Sequence, residues 1–159
     1  MKKNLNEAAS IESEVGGSMS KAEYKAAGKD ISDRYKSDKC ACKTMSGNAR
    51  QVCIDEAKGR ENVAEAELRA NYSPSSRHRR DLRTARADAA YALAKGKCDG
   101  LSGDAEDACR KEAKDTYQAT KAEAKAAEKT ADVRASTTEK RTYRRRDAAA
   151  AKLDVAVGE

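Results

Sequence analysis

Two segments of this chain, CKTMSGNARQVC (Cys42 to Cys53) and CDGLSGDAEDAC (Cys98 to Cys109), repeat one pattern fifty-six residues apart. Each holds a cysteine, three residues, Ser-Gly, five residues and a second cysteine, and each continues two residues later with Glu-Ala-Lys. The same shift superposes Tyr35 on Tyr91, Lys39 on Lys95 and Met45 on Leu101. Self-similarity at a fixed period marks a tandem repeat of one supersecondary unit. The Ser-Gly bend between two helix-forming stretches makes that unit a helical hairpin.

The flanking stretches are helical by both propensity and period. Thirty-two alanines mixed with Lys, Glu and Arg are strong helix formers, and the one proline stands at position 74. Leu, Ile and Val number only fifteen, and Trp and Phe are absent, so the helices are thin, with narrow Ala-rich seams. Ser20-Lys-Ala-Glu23 is a capping-box pattern that starts a first helix running to about Cys42. Tyr24, Gly28, Ile31, Tyr35 and Cys42 form its stripe. Asn48 and Asp104 are candidate N-caps for the helices after the two bends.

The second helix runs to about Tyr72, with Val52, Cys53, Ala57, Val63, Ala64 and Leu68 inward. Ser73-Pro74-Ser75-Ser76 ends it, with Pro74 fitting the first position of the next helix. The third helix runs to about Lys97 with Leu82, Ala85, Ala89, Leu93 and Gly96 inward. The fourth runs from Asp104 to about Lys129 with Cys109, Ala113, Tyr117, Thr120 and Ala124 inward. KLDVAVGE (Lys152 to Glu159) echoes KCDGLSGD (Lys97 to Asp104) with Leu153 in the cysteine's place, so a third copy begins there and stops, and could pack on its neighbours as a cap. The predicted fold is all-α: a mobile tail over 1–18, hairpins over 19–72 and 73–129, and a truncated third repeat over 130–159 as a single helix.

A first cysteine in the last turn of one helix and a second about one and a half turns into the next come level across an antiparallel seam. This favours the disulfides Cys42–Cys53 and Cys98–Cys109, each stabilising a coreless hairpin by about 3 kcal/mol. Reduced, buried cysteines acting as small apolar side chains are the alternative. Metal ligation fits less well, because the second repeat offers two thiols only and the single histidine, His78, sits among arginines. Cys40 is the odd cysteine and has no counterpart in the second repeat, where Gly96 stands; it is a candidate free thiol for redox chemistry or intermolecular pairing, and an unpaired, incidental thiol is the plainer reading.

The formal charge of +6 favours anionic partners. Two clusters carry it: Arg77, Arg79, Arg80, Arg83 and Arg86 in one, and Lys140, Arg141, Arg144, Arg145 and Arg146 around Tyr143 in the other. Arginine suits phosphate and carboxylate, which makes these residues candidate anion or nucleic-acid contacts; solvated helix faces are the plainer reading. No catalytic motif and no phosphate loop is visible, and the carboxylates fall among basic residues at salt-bridge spacing, so no enzyme, metal or cofactor is expected. No apolar run reaches the ~20 residues of a membrane-spanning helix. Residues 1–18 contain acids and no apolar export segment, which predicts that they are not a signal peptide.

The elements SKAEYKAAGKDISDRYKSDK, the C-x3-SGNA-x3-C-x2-EAKG hairpin, ENVAEAELRANY and ADAAYALAKGKCDGLSGDAEDAC together resemble a family of small Ala- and Lys-rich proteobacterial proteins, often labelled cell envelope biogenesis or TolA-like. The likeness covers about Met19 to Glu128. It implies an exported protein, and disulfides belong in the periplasm; the first 18 residues point instead to the cytoplasm. The leading expectation is therefore a non-enzymatic structural or interaction protein of the envelope or periplasm, with anionic envelope components or itself as partner. A basic cytoplasmic nucleic-acid-binding protein and a self-assembling coiled-coil-like protein are the alternatives.

Overall fold

The computed structural model describes residues 19–156, with side chains to 149; the tail over 1–18 lies outside the described residues, as does the end of the 130–159 segment. Four helices follow one another: α1 Lys21–Ala41, α2 Gly47–Tyr72, α3 Ser76–Cys98 and α4 Asp104–Ala156, with a short 3-10 turn, Cys42–Thr44, after α1. The fold is all-α, in antiparallel hairpins.

Local chemistry explains the starts and stops. Ser20 accepts from the Glu23 amide while the Glu23 carboxylate accepts from the Ser20 amide at 2.7 Å, so two orphan donors of α1 are satisfied. Gly47 and Gly103, repeat equivalents, both take positive φ (56° and 61°), a conformation that only glycine adopts without strain. They are the Gly of each Ser-Gly bend. Asn48, expected as a cap, instead lies inside α2. The N-cap is Ser46, and the Asn48 amide donates 3.0 Å across to the Gly96 carbonyl, tying the first bend to α3. Pro74 also falls two positions earlier than expected. It precedes the N-cap Ser75, whose hydroxyl accepts from the His78 amide at 3.0 Å.

The helices form an open row. α1 touches α2, α2 touches α3 and α3 touches α4, and no other pair of described helices meets. Each of the two middle helices therefore needs two apolar faces. On α2, Ala57 and Leu68 look to α1, while Gly59 and Val52 meet Ala89 and Gly96 of α3. On α3, Ala87 and Cys98 are buried on the other side, against α4. The small residues bring the axes together: a Cβ on Gly59 would stand 2.8 Å from that of Ala89.

The expected stop of the fourth helix near Lys129 is overturned, because α4 runs on without a break to Ala156. The residues one repeat beyond Ser73-Pro74-Ser75-Ser76 are Lys129-Thr130-Ala131-Asp132, with no proline and no serine cap. Nothing there interrupts the hydrogen-bond ladder. The Ser76 hydroxyl donates to the Asp132 carboxylate, so α3 begins beside Asp132. Past that point α4 has no described helix at its side, and residues 132–149 are all exposed. The packing expected of Lys152 to Glu159 on its neighbours falls outside the residues whose side chains are described.

Candidate functional site

The two bends carry the most strongly built features of the molecule. Cys42 is bonded to Cys53 and Cys98 to Cys109, with Cα atoms 5.7 and 5.6 Å apart, inside the range a disulfide needs. Cys42 and Cys98 are almost completely buried, at 1% and 0% exposure. Both clamps sit at the same end of the row, since each closes the end of an odd-numbered helix on the start of an even-numbered one. Cys40 is a free, exposed thiol on α1.

Aromatic contacts repeat along with the sulfurs. Lys39 lies over Tyr35 and Lys95 over Tyr91, each 5.8 Å from the ring centre. In the second hairpin Tyr91 stacks on Tyr117, with centroids 4.6 Å apart. The first hairpin has Glu61 at the place of Tyr117, and Lys58 covers Tyr35 instead, at 5.1 Å. The Tyr117 hydroxyl donates 2.6 Å to Asp88 and accepts from Lys121 at 3.1 Å, which raises the Lys121 ammonium above its ordinary range.

An open groove of about 830 Å³ runs between α3 and α4. Its floor is alanine with the Tyr91–Tyr117 pair, the Cys98–Cys109 bridge closes one end, and Arg83, Arg86, Glu112 and Glu123 stand at its rims. A smaller groove of about 380 Å³ lies between α2 and α3. Ala90 lines both, so they open on one side of the row. No described residues gather three or more metal-ligating side chains, and no side-chain nitrogen or oxygen among them is buried without a partner.

The arginine clusters divide into paired and unpaired residues. Arg80 turns toward α4 and pairs with Asp81 and Glu128, both at 2.8 Å; these hydrogen bonds, Asp81 first, push its pKa further up. It is a structural residue. Arg86 reaches Glu67 of α2 at 3.7 Å. Arg77, Arg79, Arg83, Arg141, Arg144, Arg145 and Arg146 have no acidic partner within 4.0 Å among the described residues. Arg83 and Arg86 face the large groove, as Ala127 does from α4. Helical period then puts Arg79 on that same face of α3, and Arg134, Arg141 and Arg145 on that same face of α4. Arg79, Arg83 and Arg86 of the first cluster and Arg141 and Arg145 of the second, distant in sequence, therefore fall on one side of the molecule, and Arg134 joins them.

No family model, curated protein or solved structure matches the chain. No described helix is long and apolar enough to cross a membrane.

Proposed function

We propose that this chain is a non-enzymatic structural or interaction protein of the bacterial cell envelope or periplasm, built to hold long charged helices rigidly in a row. The observation that carries the reading is the matched pair of disulfides, placed identically in two repeats with almost no other core among the described residues. Such bonds persist in oxidising compartments and are rare where glutathione keeps thiols reduced. The resemblance to exported Ala- and Lys-rich envelope proteins points the same way. The absence of a buried acid–base pair or ligand cluster among the described residues adds no argument for chemistry. The test is to trap thiols by rapid alkylation in the native cell and then count them in denatured protein. One free thiol before reduction and five after supports the reading; five before reduction overturns it.

A second reading has one observation of its own: Arg79, Arg83, Arg134, Arg141 and Arg145 fall on one face and lack acidic partners among the described residues. Such a face suits the phosphates of nucleic acid. Duplex binding through it falls by ~0.9 log units per released counterion for each tenfold rise in salt. Absence of a mobility shift at low salt, or binding unchanged after charge reversal of Arg134 and Arg141, removes this reading.

A further inference from the structure

We propose that two copies of this chain pair through α4, antiparallel, about a twofold axis beside Lys129 and Thr130. The part of α4 beyond Asp132 extends for about 35 Å at 1.5 Å per residue with no described neighbour, and it exposes Val133 at 65% and Tyr143 at 67%. A helix that is polar on all sides and has no partner gains nothing from tertiary packing, which supplies most helical stability in proteins.

The flank of α4 that turns away from α3 offers the partner. Asp115, Ala119, Ala122, Ala126, Val133, Thr137, Lys140 and Arg144 recur there in steps of three, four and seven, and all are exposed. Set antiparallel against itself, this stripe is self-complementary. Ala126 meets Val133 of the second copy, Ala122 meets Thr137, Ala119 meets the aliphatic stem of Lys140, and Asp115 meets Arg144. On one side of the seam Glu123 faces Arg134 and Glu112 faces Arg145; on the other, Lys111 faces Asp147. Twofold symmetry makes each contact twice.

The charges divide accordingly. Residues 104–128 carry seven acids and five bases, whereas 132–149 carry six bases and three acids. The one like-charge approach is Lys129 with its own copy, where both side chains are exposed and can splay into water.

The register also follows from the repeat. In the α2–α3 seam Val52 lies against Gly96 and Gly59 against Ala89. One repeat on, Gly59 and Ala89 become Asp115 and Arg145, one residue from the pairing read off the stripe. The free end of one copy thus takes, on the other copy's α4, the place that α3 takes on α2. Because α3 covers α4 only up to Asp132, no described element obstructs the approach. The two rows join into one of eight helices.

Pairing through α4 does not depend on the compartment and is tested on the full chain with Cys40→Ser, so that no dimer is covalent. Sedimentation at micromolar concentration is expected to give a dimer. Asp115→Arg alone and Arg144→Asp alone should each weaken it by about tenfold or more, since each breaks two exposed ion pairs between the copies and creates two repulsions there. The double substitution should restore it. Both sites are exposed, and far-UV circular dichroism checks that the helices persist. Independently, Ala126→Cys with Val133→Cys in the same background should give a covalent dimer on oxidation, because the two residues lie ~10 Å apart within one helix and cannot bridge intramolecularly. A monomer at every concentration, single charge reversals without effect, a double variant that stays weak, or no covalent dimer would each overturn the proposal.

Discussion

Replacing Gly59 by alanine tests the closest approach in the row. In an open helix interior this substitution stabilises by about 1 kcal/mol, because alanine loses less backbone entropy on folding. Gly28 is such a site: the nearest atom to an added Cβ is Leu68 Cδ2 at 4.0 Å, an ordinary contact. At Gly59 the added carbon would stand 2.8 Å from Ala89 Cβ and 3.4 Å from Ala89 Cα. Neither atom can rotate away, so α2 and α3 must separate by several tenths of an ångström. Overpacking of this kind costs about 1–3 kcal/mol, which exceeds the propensity gain and leaves a net loss of up to ~2 kcal/mol. Separation also stretches the 3.0 Å hydrogen bond from Asn48 to the Gly96 carbonyl. Thermal melts followed by far-UV circular dichroism, at one protein concentration without reductant, read the difference, at roughly 2–4 °C per kcal/mol for a chain of this length. Gly28→Ala should raise Tm and Gly59→Ala should lower it. Adding Ala89→Gly to Gly59→Ala should recover most of the seam. If Gly59→Ala stabilises as much as Gly28→Ala, α2 and α3 do not meet at this register and the reasoning fails.

Reduction of the two disulfides, whose cysteines are each eleven residues apart in sequence, should lower stability by about 3 kcal/mol per clamp; urea melts with and without reductant, and with Cys42→Ser or Cys98→Ser alone, separate the contributions. Acid should act first on α1. The Glu23 carboxyl is held below its ordinary range by the Ser20 amide and then the Ser20 hydroxyl, and Asp33 by Lys29 and then Lys36. A lowered pKa contributes stability that is fully present above the unfolded value and is lost as pH falls through the folded one. Amide exchange in the first turns of α1 should therefore accelerate below about pH 4, while α3, whose first turn holds no acid, lags; equal acceleration in both would refute the assignment.

Much of this architecture was legible because it repeats. The spacing of Cys42, Cys53, Cys98 and Cys109 predicted both clamps, and the stripe through Tyr24, Gly28, Ile31 and Tyr35 predicted the face of α1 that meets α2. The second faces of the middle helices were harder to see. Gly59, Ala66 and Ala87 are buried, yet small residues carry little hydrophobic signal, and in an Ala-rich chain a contact face resembles a solvent face. Asn48 looked like a cap because its type suits one; the glycine beside it moved the helix start and freed the amide to reach α3. The length of α4 was legible in principle. Thr130 stands where the repeat has Pro74, and comparing those two positions distinguishes a chain that turns from one that runs on. For the arginines, periodicity could place each on a face, but only the α3–α4 register brings Arg83 and Arg134 to the same side.

The need for the clamps follows from the burial itself. The buried apolar residues among those described are Cys42, Ala57, Ala66, Leu68, Ala87, Cys98 and Ala124. Four of the seven are alanine, two belong to the disulfides, and Leu68 alone is a large aliphatic side chain. At ~25 cal/mol per Å² of apolar surface, such seams contribute little each, and an open row exposes both of its outer helices. Cross-linking acts on a different quantity, the freedom of the unfolded hairpin, and does not depend on buried area. The α2–α3 seam, which has no disulfide, relies instead on contact distance, with glycine at positions 59 and 96 letting the backbones approach. The row is therefore held by two different devices in alternation, sulfur within each hairpin and glycine between them, and the outer flanks of α1 and α4 have neither among the described residues of a single chain.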